Sequence, residues 1–119
     1  MKIEWFKFDY EQWLTDSKHR ALSINARGLW IQILCMLWES ERVGYLMKDG
    51  VSIQVEDLAK ATNSTEIEVE RCIFELEAHR FLSETEDGTF YSPEVLAAYA
   101  AGEYKSDTHE YTDNFQSRN

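Results

Sequence analysis

The longest apolar stretch of this chain runs from Leu29 to Trp38, ten residues of which only Gln32 is polar. Ser23 is a good N-cap for a helix from Ile24 to about Glu41. At 100° per residue its apolar side chains go right round the axis. Such a helix is buried on all sides, or one side is covered by a second copy of the protein. Downstream, Val55, Leu58, Ala59 and Ala61 mark a short helix, and Thr62-Asn63-Ser64 a polar turn. Thr65 and Glu68 have capping-box spacing, after which Val69, Cys72, Ile73 and Leu76 recur at three and four residues, a second helix. Phe81 and Leu82 then open a strand, Glu86-Asp87-Gly88-Thr89 turns it, and Phe90-Tyr91 returns. Upstream, Trp5-Phe6-Lys7-Phe8 is strand-like. Asp9 caps a helix whose Trp13 and Leu14 turn inward, and Asp16 or Ser17 starts a further turn through Leu22.

Between these blocks, Arg42-Val43-Gly44 closes the long helix, and Tyr45-Leu46-Met47 reads as a strand followed by a Lys48-Asp49-Gly50 turn. Ser92-Pro93-Glu94 starts a last helix with Val95, Leu96, Ala98 and Tyr99 on its apolar side, ended by Gly102. The order predicts an α+β, mostly α fold: a winged helix-turn-helix in which Tyr45–Met47 joins the two wing strands in a small three-stranded antiparallel sheet. Residues 1–102 form that domain. Residues 103–119 hold no aliphatic side chain, and the expectation is a polar tail that stays mobile unless a partner orders it.

Charge changes this picture. The 119 residues carry a net charge of −10. Residues 1–48 hold seven basic and six acidic side chains, residues 49–119 five and sixteen. Between Val55 and Tyr91 stand three basic residues and ten acidic ones. Duplex affinity comes largely from neutralising phosphates with Lys and Arg, so this helix-turn-helix is poorly charged for the customary use of its architecture. The asymmetry fits an acidic face with a basic partner, or plain solubility.

The chemistry-bearing residues are sparse. His19, His79 and His109 are scattered, no Cys/His spacing suits zinc, and no phosphate-cradling glycine loop or nucleophile elbow occurs. The expectation is a protein that is not an enzyme and uses no metal, cofactor or small-molecule substrate. Cys35 and Cys72 fall in apolar helical patterns and read as reduced thiols. With no apolar run near the ~20 residues of a membrane span, and no signal peptide, the expected location is the cytoplasm.

Three surfaces are candidates for function. Lys18, Arg20 and Arg27 form the one locally basic region, able to touch phosphate or to pair as a solvated face with nearby acids. If Val69, Ile73 and Leu76 face inward on the second helix, then Ile67, Glu70, Arg71, Phe74, Glu75 and Ala78 face out. An apolar pair ringed by acids suits a protein partner, unless Phe74 packs under the wing or the last helix. Trp30 and Trp38 are the largest groups on the long helix, one expected in the core and the other at a self-association interface.

From Trp5 to about Leu96 the sequence resembles the N-terminal winged-helix domains of phage and mobile-element replisome organisers, the DnaD-like replication initiators. The likeness is carried by Trp5-Phe6-Lys7-Phe8-Asp9 with Trp13-Leu14 and Asp16; by Arg27-Gly28-Leu29-Trp30 with Leu34; by Gly44-Tyr45-Leu46; by Asp57-Leu58-Ala59; and by Asp87-Gly88-Thr89-Phe90-Tyr91-Ser92. The resemblance implies a module for self-association and for engaging DNA or partner proteins during replication initiation. This chain departs from the family where members are often basic after the wing, since it has Ser92-Pro93-Glu94 there. Two functions follow as expectations. One is a homodimeric replication module acting on phage or host proteins with weak or indirect DNA contact. The other is an acidic phage-type regulator that imitates nucleic acid toward a basic partner.

Overall fold

A computed structural model describes residues 1–112 of the chain. They form six helices and three short antiparallel strand pairs, an α+β arrangement: β1 (Ile3–Phe6), α1 (Tyr10–Thr15), α2 (Ser17–Arg20), α3 (Ile24–Glu39), β2 (Met47–Lys48), β3 (Val51–Ser52), α4 (Val55–Thr62), α5 (Glu66–Ala78), β4 (Ser83–Glu84), β5 (Phe90–Tyr91), α6 (Pro93–Ala100) and β6 (Tyr104–Ser106). Local chemistry starts and stops them. Asp9 accepts from the Gln12 amide, Asp16 from Lys18, Ser23 from Ala26, Thr65 from Glu68 and Ser92 from Val95, each satisfying an amide that the first helical turn leaves unpaired. Asn63, in the left-handed region at φ 55°, ends α4 and turns the chain into α5.

The core is built around α3, whose Ala26, Leu29, Trp30, Ile33, Leu34, Leu37 and Trp38 are buried; Trp13 of α1 packs against it, whereas Leu14, expected to turn inward as well, is 65% exposed. Two rings on this face collect the rest of the molecule. Trp30 meets the edge of Phe81, 5.2 Å between centroids, in the loop that leaves α5. Trp38 stacks on Phe6 of β1 at 5.3 Å and lies against Tyr104 of β6 at 5.8 Å. Gly44, at φ 93°, follows α3 where a methyl group would come within 2.5 Å of Leu96 Cδ2, so the turn and the approach of α6 both require glycine.

Three expectations are corrected here. No single three-stranded sheet forms among the described residues; there are three two-stranded pairs. Asp49 and Gly50 are both left-handed, at φ 54° and 76°, and this tight turn folds Met47–Lys48 back onto Val51–Ser52. The segment after α3 meets the β4–β5 hairpin through a bridge between Tyr45 and Tyr91, a Leu46 amide that donates to the Phe90 carbonyl at 2.9 Å and a Ser92 amide that donates to the Gly44 carbonyl at 3.0 Å, without forming a third ladder strand. Nor is the segment after Gly102 simply a loose tail: Tyr104–Ser106 pairs with β1, and Lys105 Nζ lies 2.7 Å from Glu4 Oε2. Tyr104 supplies the apolar anchor that the missing aliphatic residues would have given. Residues 113–119 of the expected tail lie outside the described residues. Finally, α3 does keep a solvent side. Ile24 is 84% and Ile31 39% exposed, and Cys35 and Gly28 are open as well.

Trp38→Ala should therefore cost about 3–5 kcal/mol in chemical denaturation, as large-to-small core substitutions do, while Ile24→Ala should stay within about 0.5 kcal/mol.

Candidate functional site

Helix α5 is positioned by its inner face, Val69, Cys72, Ile73 and Leu76, packed toward α3 and α4. Helical spacing then places Ile67, Glu70, Arg71 and Phe74, three and four residues apart, on the opposite face. All four are exposed, Ile67 at 62% and Phe74 at 76%. Phe74 therefore does not pack under the hairpin or α6. Glu66 and Glu68 stand exposed in the first turn beside Ile67. Ala78, expected on the same face, is exposed too, whereas Glu75 is turned away from it. Its carboxylate accepts from both the Ser23 amide and the Ser23 hydroxyl, the latter at 2.8 Å. A negative group at the start of α3 is favoured by the helix dipole, so Glu75 is a strut between helices rather than a contact for a partner.

The basic candidates are mostly committed inside the fold. Lys18 Nζ lies 2.8 Å from Glu94 Oε1, donates to the Arg80 carbonyl at 3.3 Å and sits 4.4 Å over the Phe81 ring. Arg27 donates through Nε to the Leu22 carbonyl at 3.1 Å and through Nη2 to that of Arg20 at 3.0 Å, holding the end of α2. Only Arg20 of the three is left exposed with no such tie among the described residues. Trp30 and Trp38 are 2% and 3% exposed, so both belong to the core and neither forms a self-association surface. Each had too many apolar neighbours in sequence for its side of the helix to be told.

Two features went unread in the sequence. Along the outer side of α3, Ile24, Gly28, Ile31 and Cys35 follow at intervals of four, three and four, the spacing of a helix–helix seam. A methyl group added at Gly28 meets nothing within 4 Å, so no neighbour within the chain calls for glycine there. Beside it a groove of about 500 Å³ runs between α3 and α5, lined by Ile24, Gly28, Gln32, Val69 and Cys72. Burial pushes the Cys72 thiol up, and Glu75 and Glu68 add to the shift, which suppresses its thiolate. The other feature is a cavity of about 540 Å³ whose lining includes Phe6, Phe8, Trp13, His19 and Trp38. His19 is buried there between the Trp13 and Phe81 rings, its Nδ1 without a hydrogen bond and 3.9 Å from Asp16 Oδ2.

No family model, curated protein or solved structure matches this chain. Among the described residues no helix is long and apolar enough to cross a membrane, and no group of three His, Cys, Asp or Glu side chains could hold a metal ion.

At the far end of α5, burial together with a hydrogen bond and repulsion from Glu84 of β4 pushes the Glu77 carboxyl up to about 7. The folded chain thus keeps a proton that the unfolded chain releases near the ordinary carboxylate value. Stability should fall as pH rises from about 4.5 through about 7, by roughly 1 kcal/mol once solvent screening is allowed for. Glu77→Gln should flatten that dependence in melts taken between pH 5 and pH 8.

Proposed function

We propose that this chain is a winged-helix module of DNA replication initiation that works in the cytoplasm by assembling proteins, with weak or indirect contact to DNA. The order of α3, the α4–turn–α5 pair and the β4–β5 hairpin supports the winged-helix part. The observation that carries the functional part is the outer face of α5, where Ile67 and Phe74 stand exposed among Glu66, Glu68 and Glu70. This is the helix a duplex reader would lay in the major groove, and here it opposes phosphates with carboxylates. Self-association uses the outer seam of α3. From Ile24 to Cys35 that seam carries no charged side chain, so two copies of a strongly acidic protein can meet over those positions without opposing like charges, with the exposed Glu39 closing the seam at its C-terminal end. A second reading, an acidic regulator that imitates nucleic acid, is favoured by the commitment of Lys18 and Arg27 to partners within the chain, which leaves Arg20 as the one cation of the basic region without such a partner among the described residues.

In a salt-titrated duplex anisotropy assay the expected result is binding that is weak at low salt and unaltered by Lys18→Ala or Arg27→Ala beyond their effect on folding. Tight binding with a steep salt slope, lost in an Arg20→Ala, Lys18→Ala, Arg27→Ala chain, would overturn the proposal.

Light scattering over a concentration series should give a dimer that Ile31→Glu converts to monomer. Gly28→Ala should raise monomer stability by about 1 kcal/mol through helix propensity while weakening the dimer. A wild-type chain that stays monomeric throughout removes the seam from the proposal.

A further inference from the structure

Ile67 and Phe74 are two helical turns apart, so about 10 Å separates their attachment points along α5. Glu70 and Arg71 lie between them on the same face, and Glu66 and Glu68 stand at its N-terminal end. The neighbouring carboxyls are not part of this charge. Glu75 is bound to Ser23, and Glu77 is paired with Glu84 of the hairpin. What remains exposed is two large apolar side chains inside a ring of three carboxylates and one guanidinium, a small apolar centre with a charged rim.

We propose that this face of α5 receives a basic amphipathic helix from a partner protein, with two apolar side chains seven residues apart set against Ile67 and Phe74 and Lys or Arg side chains set against Glu66, Glu68 and Glu70. The inference deepens the reading of the chain as a protein-assembling module and rests on it.

Spacing and charge together select this occupant. Anchors about 10 Å apart along a helix are met by residues i and i+7 of a second helix lying alongside; residues on one face of a strand fall instead at about 7 or 13 Å. A second copy of this same face laid parallel would bring Glu66, Glu68 and Glu70 against their own equivalents, and laid antiparallel it would offer Arg71 to Glu70 alone, leaving Glu66 and Glu68 without a cation. Duplex DNA meets the same obstacle through its phosphates. A partner with an uncharged rim would desolvate carboxylates without pairing them. A basic rim satisfies all three, and Arg71 sets the direction of the incoming helix, because the position facing it must be acidic or polar rather than basic. Association of this kind, an apolar seam flanked by charge pairs, is the helix-on-helix mode of peptide recognition.

The test uses a fluorescein-labelled synthetic peptide about five turns long, with leucines on one helical face and lysines elsewhere. Two controls accompany it: the same composition with leucines distributed around the helix, and an all-lysine peptide of equal length. Wild-type chain should bind the patterned peptide at least about tenfold more tightly than either control. Ile67→Ser with Phe74→Ser should abolish that preference, and Glu66→Gln, Glu68→Gln, Glu70→Gln should lower affinity and its salt dependence together. Every substituted position is exposed, so circular dichroism and melting temperature should match wild type; the single Ile67→Ser change gives an independent readout of the anchor. Equal binding of all three peptides, or unchanged binding by the double serine variant, overturns the inference. Such a failure leaves the duplex assay untouched, and tight duplex binding would defeat the broader proposal whatever the peptides do.

Discussion

The fold depends on burial of one side of α3. Trp30 and Trp38 project from that side two turns apart, and each gathers elements distant in sequence. Through Phe81, Trp30 ties in the exit of α5 and the His19 end of α2. Through Phe6, Tyr99 and Tyr104, Trp38 ties in β1, α6 and β6. Aromatic pairs add about 0.5–1.5 kcal/mol each beyond the area they bury; Trp38 makes three, and Trp30 makes one, to the Phe81 ring that His19 also meets. What looks like a loosely connected series of short helices and two-residue strands is therefore held at two points on one rod. None of the short strands carries the fold alone, since isolated two-stranded pairs are marginal in water.

With the rod's inner side occupied, the remaining surfaces differ by charge. The outer side of α3 is uncharged from Ile24 to Cys35 and ends at the exposed Glu39, while the outer side of α5 is apolar and acidic along its first two turns. The first tolerates a copy of itself; the second would leave most of its carboxylates unpaired against one. The basic residues that could have blurred this contrast are drawn inward, Lys18 onto Glu94 and Phe81, Arg27 onto the carbonyls that end α2. Cations at a helix C-terminus are placed favourably for its dipole, so these residues are explained by folding without any phosphate. The same is true of Glu75 at the start of α3.

What was legible in the sequence was local. Capping by Asp9, Asp16, Ser23, Thr65 and Ser92, the Asp49-Gly50 turn and the inward stripe of α5 are set by residues a few positions apart, and each stands where the spacing places it. What was not legible was long-range. Nothing near Glu75 announces Ser23, fifty-two positions earlier, and nothing near Lys18 announces Glu94, seventy-six later. An apolar pattern running right round α3 holds no phase information, so its covered and open sides could not be told apart. Five of the six residues expected on the α5 face, all but Glu75, are there because helical period alone fixes that face. Strand pairing failed for a related reason: Met47–Lys48 had two available partners, and turn geometry, not apolar pattern, chose between them.

The ribbon of β1 with β6 joins residues near the two ends of the described chain. Closing so long a loop costs entropy that the ribbon's own few hydrogen bonds do not return, so the pairing leans on the packing of what lies between. Its docking surface is the Trp38 ring, which itself exists only once α3 is seated. The ribbon is therefore where the molecule is expected to open first. Exchange of the Lys7 amide, which donates to the Glu103 carbonyl at 3.0 Å at the end of the ribbon, should then outpace that of Ile33 and Leu37 within α3.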